Sequence, residues 1–161
     1  MGKSNASIKL ALYLGCRFAL KEVSGTTLDH ALFELVAPQK LKHPHIVVPF
    51  AYVALGLDKH GILMPLAERD LKKYTQEMSE SDPDKKFSVT EIYRVVMEFL
   101  IGLSFMHTRG FLHRDIKPHN VFMFGKNVKI GDFGQVASPS WENSYGGGPL
   151  DMHHQKRFQR R

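Results

Sequence analysis

The segment His113-Arg114-Asp115-Ile116-Lys117-Pro118-His119-Asn120, with Asp132-Phe133-Gly134 beginning twelve residues after Asn120, gathers the side chains best suited to handling phosphate. Asn120 and Asp132 offer oxygen ligands to a hard cation such as Mg2+. Asp115, five residues before Asn120, can meet an incoming hydroxyl, and Lys117 adds a cation for phosphate oxygens. Phosphoryl transfer asks a protein for little covalent chemistry. It asks for a positioned nucleophile, metal ions and compensation of developing charge, and this set has the groups for all three.

These residues resemble, almost position for position, the catalytic loop and metal-binding motif of eukaryotic protein kinases. The resemblance implies that Asp115 accepts or orients a substrate hydroxyl and that Asn120 and Asp132 hold magnesium. Lys117, two residues after Asp115, gives the loop its serine/threonine-kinase form. His113 and Phe133 are implied to pack between the loop and the metal motif. Upstream, Phe18-Ala19-Leu20-Lys21 is similar to the family's Val-Ala-Ile-Lys strand. That likeness sets Lys21 at the ATP phosphates and Ala19 against adenine. Glu34, thirteen residues later, stands where the lysine's acidic partner belongs, and His43-Pro44-His45-Ile46-Val47 resembles the family's His-Pro-Asn-Ile-Val turn.

The stretch 62–74 looks most like the hinge of the cyclin-dependent kinase group. By that likeness Met64 guards a back pocket, the backbone at Leu66 and Ala67 bonds adenine, Asp70 approaches the ribose, and Phe122 lies beside the nucleotide. Asp70 suits the N-cap of the following helix equally well, and both readings stay open. Arg114 resembles the arginine that grips a phosphorylated activation loop, with Ser138, Ser140, Ser144 and Tyr145 in the segment such a loop occupies. The implied cofactors are ATP and Mg2+, and the implied partner is a protein substrate.

The elements that must position these groups are legible from periodicity. Residues 8–14 alternate apolar side chains with period two, and 17–23 read as a second strand paired back across Gly15-Cys16. A helix is expected over 28–37, with Pro38 ending it early and so disturbing the placement of Glu34. Two strands are expected at 46–54 and 62–66, then a short helix over 70–78. Ser88-Val89-Thr90-Glu91 is a capping box, with the serine accepting from the Glu91 amide and the glutamate reaching back. Behind it Ile92, Val95, Val96, Phe99, Leu100, Leu103 and Met106 share one broad face of a helix running to residue 107. Short apolar strands follow at 121–124 and 128–130. Strands first with one helix inserted, then helices, make an α+β layout, and the resemblance implies a two-lobe kinase-like fold.

The resemblance spans residues 8–152. It implies a partial small lobe at 1–66, without the family's first strand and glycine-rich loop, and a partial large lobe at 67–152 carrying the start of an activation segment. Residues 153–161 form a basic tail. The helices that normally cover the 88–107 helix are absent from this stretch, so its apolar face is expected to be unstable in water or to meet a completing or regulatory partner. An alternative to an active kinase follows: an impaired one that binds nucleotide or a partner without turnover. One cysteine, Cys16, excludes an internal disulfide and suits a reducing compartment. No apolar run is long enough for a membrane helix, so a cytoplasmic or nuclear protein is expected. The net charge of +6 includes a basic end with one interleaved aromatic, Phe158, which makes nucleic acid an unlikely partner.

Overall fold

A computed structural model describes residues 5–24, 28–57, 59–81 and 87–138. Strands β1 (Asn5–Tyr13) and β2 (Cys16–Ser24) form a hairpin in register from Tyr13↔Cys16 to Asn5↔Ser24. Its two turn residues, Leu14 and Gly15, both take positive φ, 48° and 76°, the handedness that matches the twist of the flanking strands. Strands β3 (Ala51–Ala54) and β4 (Lys59–Pro65) complete an antiparallel sheet in the order β1-β2-β4-β3. Along β2 the side chains alternate, so that Ala19, Lys21 and Val23 are buried together on one face. Helix α1 (Leu28–Gln39) packs on β3 and β4.

Helix α1 does not stop before Pro38 as expected; it runs through to Gln39. Pro38 falls in the last turn, where only one further residue is helical, and its ring is fully buried. The turn then closes through Lys40 N–H to the Ala37 carbonyl and Leu41 N–H to the Pro38 carbonyl, at 3.1 and 2.9 Å. The strand expected over 46–54 is also shorter. Pro49 lacks the donor a central strand needs, and Ile46 and Val47 pair instead with Ile130 of a second sheet.

That second sheet holds β5 (Arg69–Asp70), β6 (Val121–Phe124) and β7 (Asn127–Ile130) in the order β5-β6-β7. Helix α2 (Leu71–Ser81) starts one residue later than expected, because the Asp70 carboxylate accepts the Lys73 amide at 2.7 Å and so caps it. Helix α3 (Val89–Thr108) begins at the expected cap, with Ser88 Oγ accepting the Glu91 amide at 3.1 Å. The Glu91 carboxylate takes the Tyr74 hydroxyl of α2.

The core lies where α1, α3 and β7 meet. Ala37, Leu41, Ile46, Met106, Phe111, Ile130, Phe133 and Val136 form one buried cluster, with Phe99 and Leu103 packed against it. A smaller cluster of Val121, Met123 and Val128 takes Leu71, Tyr74 and Val95. The apolar face expected on α3 is therefore divided: Val95, Phe99, Leu103 and Met106 turn inward. Ile92, Val96 and Leu100, with Tyr93, Met97 and Ile101, are exposed. The architecture is the expected α+β one, a small antiparallel sheet with a helix followed by a mainly helical part. Among the described residues, no helix is long and apolar enough to cross a membrane.

Candidate active site

The two halves of the sequence motif meet at Lys21. Its ammonium donates to a Glu34 carboxylate oxygen and, at 2.7 Å, to Asp132 Oδ1, joining residues 111 positions apart. Strand β2 carries Lys21 on its buried face, α1 presents Glu34 opposite, and the segment after β7 delivers Asp132. Burial alone would lower the Lys21 pKa. The attraction of the two carboxylates outweighs it and holds the ammonium above the ordinary lysine range. The uninterrupted α1 thus keeps Glu34 on Lys21, contrary to the disturbance expected from Pro38.

The catalytic-loop residues converge just as closely. Asn120, buried in the short 3-10 turn Pro118–Asn120, donates its Nδ2 to the Asp115 carbonyl at 2.8 Å and to Asp115 Oδ2 at 2.9 Å. Lys117 Nζ reaches the same Oδ2 at 2.6 Å. The Lys117 ammonium is the largest influence on Asp115 and, with the Asn120 amide, holds its carboxyl below the ordinary aspartate range. Asp115 is thus an anion ready to accept a hydrogen bond. Because both of these bonds use Nδ2, the Asn120 amide oxygen is left as an acceptor.

His113 joins the two segments. Its Nε2 meets the Gly131 carbonyl at 2.9 Å, its Nδ1 accepts the Asp115 amide at 3.3 Å, and its ring lies 5.4 Å from that of Phe133. Burial pushes this imidazole below the ordinary histidine range, so it is neutral. A carbonyl only accepts, so Nε2 carries the proton and Nδ1 the lone pair. Arg114 and Asp132 both sit in the left-handed backbone region, at φ 66° and 62°. Gly131 is pressed by its surroundings: an added Cβ would stand 2.9 Å from the Phe122 ring and 3.1 Å from a Val47 methyl.

The residues that the likeness assigned to the base and ribose lie on β2, on the connection after β4, and on β5 and β6. Ala19 is buried opposite Met64, and Leu66 and Ala67 run between β4 and β5. Asp70 pairs in register with Phe122, whose ring covers Gly131. Of the two readings of Asp70, the cap is realised. The Gly131 N–H bonds the Asn120 main-chain carbonyl at 2.9 Å, which ties the backbone before Asp132 to that of Asn120. Hard oxygen donors such as the Asn120 amide and the Asp132 carboxylate fit Mg2+. Ser138 is fully buried, which withdraws it as a modifiable hydroxyl, whereas Ser140, Ser144, Tyr145, the 147–152 segment and the 153–161 tail lie outside the described residues.

Residues 11–146 match the family model of the protein kinase domain. The chain belongs to that family. A probable serine/threonine-protein kinase of Dictyostelium discoideum is 36% identical over 103 residues, 64% of this chain and 19% of that protein. Cyclin-dependent kinase F-3 of Oryza sativa subsp. japonica is 33% identical over 115 residues, 71% of this chain and 25% of its own length. Serine/threonine-protein kinase Nek11 of Homo sapiens is 36% identical over 121 residues, 71% and 18% respectively. The chain spans a quarter or less of these kinases.

Motif spacing singled out Lys21, Glu34, Asp115, Lys117, Asn120 and Asp132, and the structure joins them in two hydrogen-bonded sets, Lys21–Glu34–Asp132 and Asp115–Lys117–Asn120. It gave no role to Gly131, Gly102, His45 or Glu98, which lie where the second sheet meets α3 and the 43–47 segment. Two of them carried a signal, His45 within the His43-Pro44-His45-Ile46-Val47 turn and Gly131 as the glycine directly before Asp132.

Proposed function

We propose that this chain is the catalytic core of a protein serine/threonine kinase, which moves the γ-phosphoryl of ATP to a protein hydroxyl. The observation that carries the reading is the 2.7 Å bond between Lys21 and Asp132 beside the Asp115–Lys117–Asn120 cluster. An accidental polar loop would not bring a cation from the first sheet to the carboxylate after β7.

In this reading Lys21, fixed by Glu34, gives its remaining N–H to a nucleotide phosphate oxygen. Ala19, Phe122 and the backbone of Leu66 and Ala67 hold the base, with Asp70 near the ribose while it caps α2. Asn120 and Asp132 would hold magnesium, which when bound neutralises charge on the phosphates. Asp115 accepts the hydrogen bond of the substrate hydroxyl and aims its oxygen. As an anion held below the usual range it orients first and takes the proton late, which suits a loose phosphoryl transition state. Lys117 offsets charge on the transferring group. The small lobe then corresponds to residues 1–66 and the large lobe to 67–152, in a cytoplasmic or nuclear protein.

Incubation of the purified chain with radiolabelled ATP, Mg2+ and a serine/threonine peptide mixture tests this. Label on peptide that disappears in Asp132→Ala supports it. The exposed stripe of Ile92, Val96 and Leu100 on α3 favours a second reading, a module that binds nucleotide or a completing partner. Mg-ATP binding without label transfer would select that one.

A further inference from the structure

Strand β7 is the edge of its sheet, and the main-chain groups that face away from β6 are all engaged by two other elements. The Val128 N–H donates to Glu98 Oε2 of α3 at 2.7 Å, and the Val128 carbonyl meets His45 Nδ1 at 2.9 Å. Two residues on, the Ile130 N–H donates to the His45 carbonyl at 2.9 Å, and the Ile130 carbonyl accepts the Val47 N–H at 2.8 Å. A carbonyl cannot donate, so His45 Nδ1 carries a proton. The Glu98 carboxylate stands 3.7 Å from that nitrogen and is itself flanked by Arg94 at 3.5 Å. Helix α3 comes close because residue 102 is glycine: a Cβ there would sit 2.8 Å from the His45 carbonyl oxygen.

The segment anchored here has two ends that matter. Toward the N-terminus it runs into α1, with Leu41 fully buried and bonded to Pro38, one turn beyond Glu34. Toward the C-terminus of β7, Ile130 is followed by Gly131 and Asp132, with Gly131 tied to Asn120. One set of bonds therefore fixes the helix bearing Glu34 and the strand leading to Asp132 to each other. Neither His45 nor Glu98 touches the reacting groups.

We propose that His45 and Glu98 are positioning residues, which pin the edge of β7 and so set the separation of Asp132 from the Lys21–Glu34 pair. The role in catalysis rests on the kinase reading above. His45 stands where the resembled turn has asparagine, whose amide can also donate to the Val128 carbonyl while lacking the ring. Asparagine is thus the conservative replacement and leucine the disabling one.

The test compares wild type, His45→Leu, His45→Asn and Glu98→Gln as full chains. It measures amide hydrogen exchange over residues 128–134 without nucleotide, the affinity for a fluorescent ATP analogue with Mg2+, and the melting temperature. Loss of one hydrogen bond makes His45→Leu raise exchange at 131–133, and lower nucleotide affinity, each about fivefold. His45→Asn stays within about twofold of wild type. Glu98→Gln keeps an acceptor for Val128, so it carries the test should leucine at 45 unfold the chain, and it raises exchange about twofold to threefold. A lowered melting temperature with exchange and affinity unmoved in His45→Leu and Glu98→Gln overturns the proposal, since that is the result of a merely structural role. Failure of wild type to bind Mg-ATP counts against the kinase reading. Unmoved exchange at 131–133 counts against the positioning role whichever way binding falls.

Discussion

Removing the Glu34 carboxylate strands an ammonium out of water. The Lys21 side chain is 11% exposed and that of Glu34 6%. Breaking such a pair by deleting one member costs about 3–5 kcal/mol, because the survivor is left charged and buried. Asp132 remains 2.7 Å from Lys21 but is 36% exposed, so it shares the load only in part. The cost of Glu34→Leu is accordingly expected at or just below the bottom of that range, about 2–3 kcal/mol. Lys21→Met leaves Glu34 buried without its cation and is expected to cost about as much. The double variant Lys21→Met/Glu34→Leu fills the same space with apolar groups and is expected within about 1 kcal/mol of wild type. Urea unfolding of the four proteins at neutral pH closes a double-mutant cycle with a coupling of at least about 2 kcal/mol. A coupling under about 0.5 kcal/mol, or a double variant no more stable than the singles, refutes the reasoning that the pair is mutually dependent.

Asp115→Asn is expected to reduce phosphoryl transfer by about a hundredfold or more. Its Mg-ATP affinity should remain within about threefold, since the role proposed for Asp115 is to aim the acceptor rather than to hold nucleotide; initial rates over a range of ATP concentrations separate the two. Gly102→Ala gains helix propensity but drives a methyl onto the His45 carbonyl oxygen, so a net loss of about 1–2 kcal/mol is expected in the unfolding midpoint. His113 is held below its ordinary value of 6.5, so on acidification the unfolded chain takes up its proton first. Stability is full above about pH 6.5 and falls as the pH drops toward the folded-state value. Urea midpoints from pH 7.5 to 5.5 should decline, and the decline should flatten in His113→Gln.

Much of this was legible because local chemistry decided it. The β1–β2 hairpin follows from alternation and from Gly15, and α3 begins at Ser88 because its hydroxyl caps the helix. The mutual contacts of Asp115, Lys117 and Asn120 were readable because all three lie within six residues of one loop. What the sequence concealed was decided between distant segments. Pro38 reads as a helix stop, yet burial of its ring at the last turn outweighs one lost amide bond. Ile46 and Val47 read as the start of a strand in the first sheet, and only the open edge of β7 explains why they leave it. Glu98 looks like one more solvated helix charge; its task, accepting a strand amide thirty residues away, has no periodicity to betray it.

Asp132 and Arg114 hold left-handed backbone, which the Cβ of an L residue makes costly. Glycine at 114 would relax the chain and is expected to raise the melting temperature. At 132 the same relief would be set against loss of the carboxylate that pairs with Lys21, so a strained torsion is kept there by an ion pair that glycine cannot supply.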